Sequence, residues 1–378
     1  MTAALGWLFL ALGLLGGAYA LAAAIFATRV LKRRPDPKPL EFPPVTILKP
    51  LYGTEPGLER ALASFFNQSY PAPVQIVFGL HSADDPALGI VARIKRSFPG
   101  RDIAGVIDDS RHGSNAKVGN LVNMMAAARH DVLLLADSDI AVSGPYLREV
   151  VATLDKPGVG AVSCLYAGAG MAGFWSGLAA MGVSYQFLPN AALGIGAGLA
   201  HPAMGSTIAL RRETLATIGG FEAFADYLAD DFEIGRAVRA RGLAIAYPPL
   251  TVAHQMSERS LAELVRHELR WARTVRTIDP AGHWGSFITH ALPLGLAGAL
   301  LLGFAPVPCA VLAAILVARL SLKARIDHIV GVAAGPAWLL PVRDMLLFGI
   351  YVASLFGRRV EWRGSRLRVD QSGTMSQS

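Results

Sequence analysis

The segment Leu133-Leu134-Leu135-Ala136-Asp137-Ser138-Asp139 is an apolar run that ends abruptly in two aspartates two residues apart. Carboxylates at the end of a buried strand suit a hard divalent ion such as Mg2+ or Mn2+. In open α/β sheets, ligands collect at the carboxyl ends of the strands. A metal on Asp137 and Asp139 would bridge the two phosphates of a nucleotide and neutralise charge as a diphosphate leaves. A polar turn with a helix cap is the alternative that the same residues allow. Asp84-Asp85-Pro86 also follow an apolar run. There a carboxylate can accept hydrogen bonds from a base or ribose, or cap a helix with proline near its first turn.

Asp230-Asp231 precede Phe232-Glu233-Ile234-Gly235-Arg236, an amphipathic helix start. Paired carboxylates are stabilised there by the helix dipole, yet two like charges side by side can raise one pKa, which suits a general base. Ser260-Leu261-Ala262-Glu263 is a capping-box pattern. On the helix it opens, His267, Arg270 and Trp271 share one face. An arginine beside an aromatic grips a diphosphate and walls an acceptor pocket, or stacks beside lipid headgroups. Gly113-Ser114-Asn115-Ala116-Lys117 reads as a loop entering a helix, so backbone amides and Lys117 can meet phosphate.

These clusters need a scaffold. β-type runs at 45–49, 75–81, 104–107, 132–136, 159–165 and 208–210 alternate with helical patterns at 57–67, 88–98, 117–128 and 146–154. That rhythm predicts an α/β fold, a mostly parallel sheet with helices on both faces. About 230 residues, 45–276, suffice for one such domain.

The 378 residues are 53% hydrophobic and 17% charged, with a mean hydropathy of +0.41. Soluble domains carry about 25% charged residues, so the composition argues against disorder or nucleic-acid binding and for a chain partly dissolved in lipid. Residues 5–28 carry no acid or base, enough to cross a bilayer of roughly 30 Å. Arg29, Lys32, Arg33 and Arg34 follow. A cleavable signal peptide puts its charge before the apolar stretch. Residues 1–30 therefore read as an uncleaved anchor with its amino terminus outside and the bulk of the chain inside. A stiff Pro-rich linker, 31–44, comes next. Residues 277–357 contain apolar stretches at 288–320 and 329–356, the first broken by Pro306 and Pro308, the second by Arg343-Asp344 as a candidate ion pair. Residues 358–378 form a basic tail with Arg358, Arg359, Arg363, Arg366 and Arg368, and a disordered end from 371. If that tail lies inside, an even number of crossings follows the globular domain, two being simplest. Cys164 and Cys309 form no metal spacing and no disulfide framework.

The ordered set Asp-Asp-Pro (84–86), strand-Asp-Ser-Asp (137–139), Ala-Asp-Asp (229–231) and x-x-Arg-Trp (270–271) resembles the ceramide glucosyltransferase-like family of membrane-anchored glycosyltransferases. Further matches are Leu48-Lys49-Pro50-Leu51 with Gly53, Asn115-x-Lys117 with Asn120-Leu121, and Gly219-Gly220-Phe221. The resemblance spans about 45–271 and implies the GT-A fold with transmembrane helices at both ends. It implies Asp85 in the nucleotide pocket, Asp137 and Asp139 at a Mg2+ or Mn2+ ion and the donor sugar, and Asp231 as base. It places Lys117 on phosphate, and Arg270 and Trp271 on donor diphosphate and acceptor. His267 stands where the family usually has Gln or Arg, and an imidazole can still donate to phosphate or a hydroxyl.

Size and layout resemble the bacterial members associated with hopanoid biosynthesis. The implied reaction moves N-acetylglucosamine from UDP-N-acetylglucosamine to bacteriohopanetetrol; the alternative is glucose from UDP-glucose to ceramide. The implied partners are a UDP-sugar, a membrane lipid acceptor and the bilayer, at the inner (cytoplasmic) membrane with the catalytic domain facing the cytoplasm. Residues 168–204, with Phe174, Trp175 and Phe187, read as a lipid-facing acceptor wall or as internal packing. A processive polysaccharide synthase would need several long membrane helices for a channel, and a non-catalytic scaffold would lack carboxylates that are all in place.

Overall fold

The first 28 residues carry no charged side chain, and they build one 30-residue helix, α1 (Thr2–Leu31), in the computed structural model. That structure describes residues 1–356, 359–362, 365–369 and 374–377. The Pro-rich stretch after α1 has no regular structure, but it is not a free spacer. Asp36 takes a two-pronged ion pair from Arg33 (2.9 and 2.8 Å) and further bonds from Thr153 and Lys156 at 2.8 and 3.2 Å. Arg33 also donates to the Tyr247 carbonyl. This member of the basic cluster is therefore a structural strap.

Strands β1 (Val45–Pro50), β2 (Val74–Leu80), β3 (Asp102–Ile107) and β4 (Val132–Leu135) are joined through helices α2 (Leu58–Ser64), α3 (Ala87–Ser97) and α4 (Ala116–Met124). β5 (Ile140–Ala141), α5 (Tyr146–Leu154), β6 (Val159–Ser163) and β7 (Leu165–Gly170) follow, so the apolar run 159–165 is two strands separated at Cys164. Two apolar helices, α6 (Phe174–Gly182) and α7 (Leu188–Gly196), are linked by a π-helical turn at Val183–Phe187. β8 (Ile208–Arg211), α8 (Arg212–Thr217), α9 (Asp230–Ala240), β9 (Ala244–Ala246) and β10 (Thr251–Met256) complete the α/β part.

The main sheet has seven strands in the order β3-β2-β1-β4-β8-β6-β9. β1, β2, β3 and β4 run parallel, and β8 is antiparallel to both β4 and β6. Every residue of β1 and β4 is buried, as strands covered on both faces require. Two polar side chains inside this core are bonded: Thr46 donates to Gln75 at 2.8 Å, and Gln75 donates to the Ala127 carbonyl at 2.9 Å. Ile47, Phe78, Leu134, Val162 and Ala209 anchor the core around them.

The rest of the chain is helical. α10 (Leu261–Ile278), α11 (Pro280–Gly285), α12 (Ala291–Leu301), α13 (Pro306–Val330) and α14 (Leu340–Ser354) precede strands β11 (Arg359–Trp362), β12 (Ser365–Val369) and β13 (Met375–Gln377). Two units result: Arg33–Tyr166 with His201–Ser257 and Leu367–Ser378, and Met1–Lys32 with Ala167–Ala200 and Glu258–Arg366. The expected globular span 45–276 thus contains two stretches, 167–200 and 258–276, that fold with the apolar helices. Residues 167–200 have no charged side chain. Leu178, Ala179, Met181, Tyr185 and Leu188 of the expected acceptor wall are buried, whereas Phe174 is exposed.

Thr2–Leu31, Pro306–Val330 and Ala337–Ser354 are long and apolar enough to cross a membrane, and Pro280–Thr289 with Ala291–Leu301 form a pair bent by 56°. The apolar stretch 288–320 is not one helix. Gly303 and Phe304 both take positive φ, and Pro306 starts the next helix, because its ring is pre-set for a first helical turn. Arg343 and Asp344 do not pair with each other. Arg319 clamps Asp344 at 2.8 and 2.7 Å, and Arg343 pairs with Glu268. Of the expected disordered end, Met375–Gln377 is instead a strand paired antiparallel with β12, its Met375 opposite Val369. Arg358 and Arg363 of the basic tail, with 371–373 and 378 of that end, lie outside the described residues.

Burial alone would raise the Asp36 carboxyl, but Arg33, Thr153 and Lys156 outweigh it and hold the pKa at about 2. A depressed carboxyl stabilises the fold above its unfolded pKa and loses that contribution as pH falls toward the folded one. Asp36→Ala is expected to cost about 2 kcal/mol. The difference from wild type should shrink between about pH 4 and pH 2. Thermal melting of the detergent-solubilised protein across that range measures both.

Candidate active site

Chain connections leave β1 toward β2 on one side, and β4 lies on its other side. A sheet whose strand order reverses at this point opens a crevice at the carboxyl ends of those two strands. Asp137 stands two residues beyond the end of β4, in that position. Its backbone is held on two sides: the amide donates to the Gly205 carbonyl at 3.1 Å, and Lys49 from β1 donates to its carbonyl at 2.6 Å. Lys49 is fully buried with its ammonium 4.0 Å above the Phe65 ring. Burial pushes its pKa down to about 7, against the pull of the Asp139 and Asp137 charges. Asp139 shares a 3.0 Å hydrogen bond with the His254 ring on β10, and β10 reaches it by pairing antiparallel with β5.

Helix α4 delivers Lys117. Asn115 caps the helix by accepting from the amides of Lys117 and Val118, and its side chain donates to the Tyr227 carbonyl. Gly113 has φ of +151°, and a Cβ there would lie 2.6 Å from the Ala225 carbonyl oxygen, so this loop needs glycine. The Lys117 ammonium is 2.8 Å from Asp137 Oδ1 and 3.0 Å from Asp230 Oδ2. Burial disfavours the ammonium, but Asp137, Asp230 and Asp231 outweigh it and raise its pKa well above the ordinary lysine range. Gly205 makes room for this group, since a Cβ there would meet Asp137 Oδ2 at 2.5 Å.

Asp230 and Asp231 open α9. Asp230 faces Lys117, whereas Asp231 accepts from the Gly205 and Phe232 amides, each at 2.8 Å. Burial first and the Asp230 charge second push the Asp231 carboxyl up to about 6, against Lys117 and the Gly205 amide. Asp137 is raised as well, by burial and by Asp139 and Asp230, with Lys117 opposing.

Four carboxylates therefore gather with two lysines: Lys117 among Asp137, Asp230 and Asp231, and Lys49 beside Asp137 and Asp139. Hard oxygen donors of this kind suit Mg2+ or Mn2+. Among the described residues, no three His, Cys, Asp or Glu side chains converge as ligands of one ion. The ammonium of Lys117 bridges Asp137 and Asp230 instead.

The other expected residues are carried by further elements. Asp85 accepts from the Gly53 amide at 3.0 Å and the Ala87 amide at 2.8 Å, so it ties the loop after β1 to the start of α3. His267, Arg270 and Trp271 lie on α10, in the helical unit. Ser260 accepts from the Glu263 amide and caps that helix, as the pattern predicts. The His267 ring bonds to the buried Glu258 carboxylate and packs edge-on against Trp271.

Sequence reasoning assigned no role to Lys49, His254 or Glu258. A lysine inside an apolar strand was a usable signal, because lysine is almost never fully buried unless paired. His254 and Glu258 carry no local pattern.

The fold and its acidic strand end define a nucleotide-sugar transferase architecture. Residues 8–375 match the model of glycosyl transferase family 21, and the chain belongs to that family. It is 26% identical over 220 residues to ceramide glucosyltransferase 1 of Caenorhabditis elegans, a match spanning 57% of this chain and 45% of that protein. It is 33% identical over 129 residues to ceramide glucosyltransferase of Komagataella phaffii, spanning 33% of this chain and 25% of that one. The matches thus cover less than half of these curated relatives. A mannosyltransferase from Pyrobaculum calidifontis, solved with GDP-Man and Mn2+, shares the fold at a TM-score of 0.54 and 23% identity, over 94% of this chain and 99% of its own.

Asp231 is held in surroundings that disfavour its charge, so its ionised form opposes folding above about pH 6. A shift from 3.8 to about 6 is on the order of 2–3 kcal/mol, discounted to about 1 kcal/mol for partial exposure. Asp231→Asn should therefore stabilise the protein at pH 7.5 by about that amount, and the gain should vanish toward pH 4. A melting temperature that falls in this variant would show Asp231 to be a structural carboxylate.

Proposed function

We propose that this chain is an inverting glycosyltransferase that moves one sugar from a UDP-sugar to the hydroxyl of a membrane lipid. The observation that carries this reading is the carboxylate cluster at the carboxyl end of β4, with one member, Asp231, pushed up to about 6. A general base works best with a pKa near the working pH. In this scheme Asp231 accepts the proton of the lipid hydroxyl. The freed oxygen attacks the anomeric carbon from the face opposite the diphosphate, and the carbon–oxygen bond to UDP breaks with its electron pair leaving on UDP. One displacement turns an α-linked donor into a β-glycoside.

Asp137 and Asp139 would hold a divalent ion, Mg2+ or Mn2+. When bound, such an ion neutralises charge on the departing diphosphate. Asp85 is assigned to the nucleoside, and Lys117 to the diphosphate. His267, Arg270 and Trp271 are assigned to donor diphosphate and acceptor by the family resemblance. These cations act where negative charge develops in the transition state.

The finer reading is transfer of N-acetylglucosamine from UDP-N-acetylglucosamine to bacteriohopanetetrol, supported by the resemblance in size and layout. Arg29, Lys32, Arg33 and Arg34 after α1 support an inner-membrane location with the α/β unit on the cytoplasmic side.

Asp231→Asn should lower turnover by about 10^2–10^4-fold with UDP affinity unchanged, and wild-type kcat/KM should fall about tenfold per pH unit below pH 6. Wild-type activity in the variant would remove Asp231 from the role of base. Mass spectrometry of lipids after incubating membranes with a panel of UDP-sugars tests the product. One N-acetylhexosamine on a polyol hopanoid is expected. A hexose on ceramide would replace the finer reading, and a polymer or no transfer from any donor would overturn the proposal.

A further inference from the structure

We propose that Lys117 is the resident counter-cation of this site: it bridges the carboxylates while no donor is bound and exchanges partners when a nucleotide enters with its divalent cation. The inference rests on the donor reading above and concerns what this side chain does toward the cation. Three observations carry it.

The ammonium is ion-paired with Asp137 at 2.8 Å and Asp230 at 3.0 Å, and the side chain is only 13% exposed. Its backbone is clamped by the Asn115 cap and by the close approach of Gly113 to Ala225. Only the flexible stem is left to move. Finally, Asp137, one of the two carboxylates that would hold a cation, faces this ammonium, and among the described residues no three His, Cys, Asp or Glu side chains group to hold one ion.

An ammonium and a divalent ion cannot share one oxygen of Asp137 without strong repulsion between like charges. Lys117 must therefore withdraw for Asp137 to serve as a ligand through Oδ1, the oxygen it pairs with, and leaving a buried ammonium unpaired is costly. A diphosphate supplies the oxygens that take it up. The cation and the nucleotide should then bind synergistically, each raising the affinity for the other by the same factor. Lys117 acts both as an internal competitor of the bare cation and as a ligand of the diphosphate.

Mn2+ binding to the full-length protein in nanodiscs, followed by electron paramagnetic resonance with and without UDP, tests this. Wild type should bind Mn2+ weakly alone and about tenfold more tightly with UDP. Lys117→Met should bind Mn2+ about tenfold more tightly than wild type without UDP and lose most of the enhancement by UDP. Lys117→Arg keeps the positive charge and should remain weak without UDP, which separates competition from a general change in the site. Equal or weaker Mn2+ binding by a folded Lys117→Met protein overturns the proposal, as does UDP enhancement that survives in it. If Lys117→Met melts below the assay temperature, Lys117→Gln is read by the same criteria. Should wild type transfer no sugar while Lys117→Met still gains Mn2+ affinity, the donor reading fails and the exchange stands.

Discussion

Carboxylates crowded at one strand end repel each other, and something positive has to hold them. Here Lys117 lies between Asp137 and Asp230, while Lys49 and His254 lie against Asp137 and Asp139. At 2.8 and 3.0 Å, with an effective dielectric near 20, each Lys117–aspartate attraction is on the order of 5 kcal/mol before desolvation and screening. Burial first, and the neighbouring aspartates second, raise the pKa values of Asp137 and Asp231. The surrounding geometry fixes these groups: Lys49 and Gly205 hold the Asp137 backbone, Gly205 leaves space beside its carboxylate, and two amides aim Asp231.

The helical unit manages charge in the opposite way. Its buried ionic groups find partners close by: Arg319 with Asp344 and the Tyr185 carbonyl, Arg343 with Glu268, and Lys323 with Asp327. Helices apolar enough for a membrane have no water to satisfy such groups, so charges inside them pair or are excluded. The π-helical turn at Val183–Phe187 contributes the Tyr185 carbonyl that Arg319 uses, and wide turns of this kind interrupt helices where a carbonyl must bond sideways.

Much of the α/β architecture was legible in the residues. The runs that became β1, β2 and β4 are mostly apolar, as doubly covered parallel strands demand, with Thr46, Lys49 and Gln75 the polar exceptions, and Ser260 announced the start of α10. Less legible was how the chain divides. Residues 167–200 lie between strands in sequence but fold with the apolar helices, because a charge-free stretch of 34 residues buries itself best against other apolar surface. The break at Gly303–Phe304 was hidden inside one apolar run, since hydropathy averages over backbone conformation.

Patterns of period two and 3.6, caps and acidic doublets act over a few residues, so the amino-acid order alone determined the strands, the helix starts and the carboxylates placed at strand and helix ends. Tertiary structure alone decided who meets whom. Lys117, legible as a lysine entering a helix, is ion-paired with Asp137 and Asp230; Lys49 reaches Asp137 across 88 positions, and His254 reaches Asp139 across 115. The raised pKa of Asp231 was likewise decided by burial and by the charges packed around it, and neither is written in local spacing.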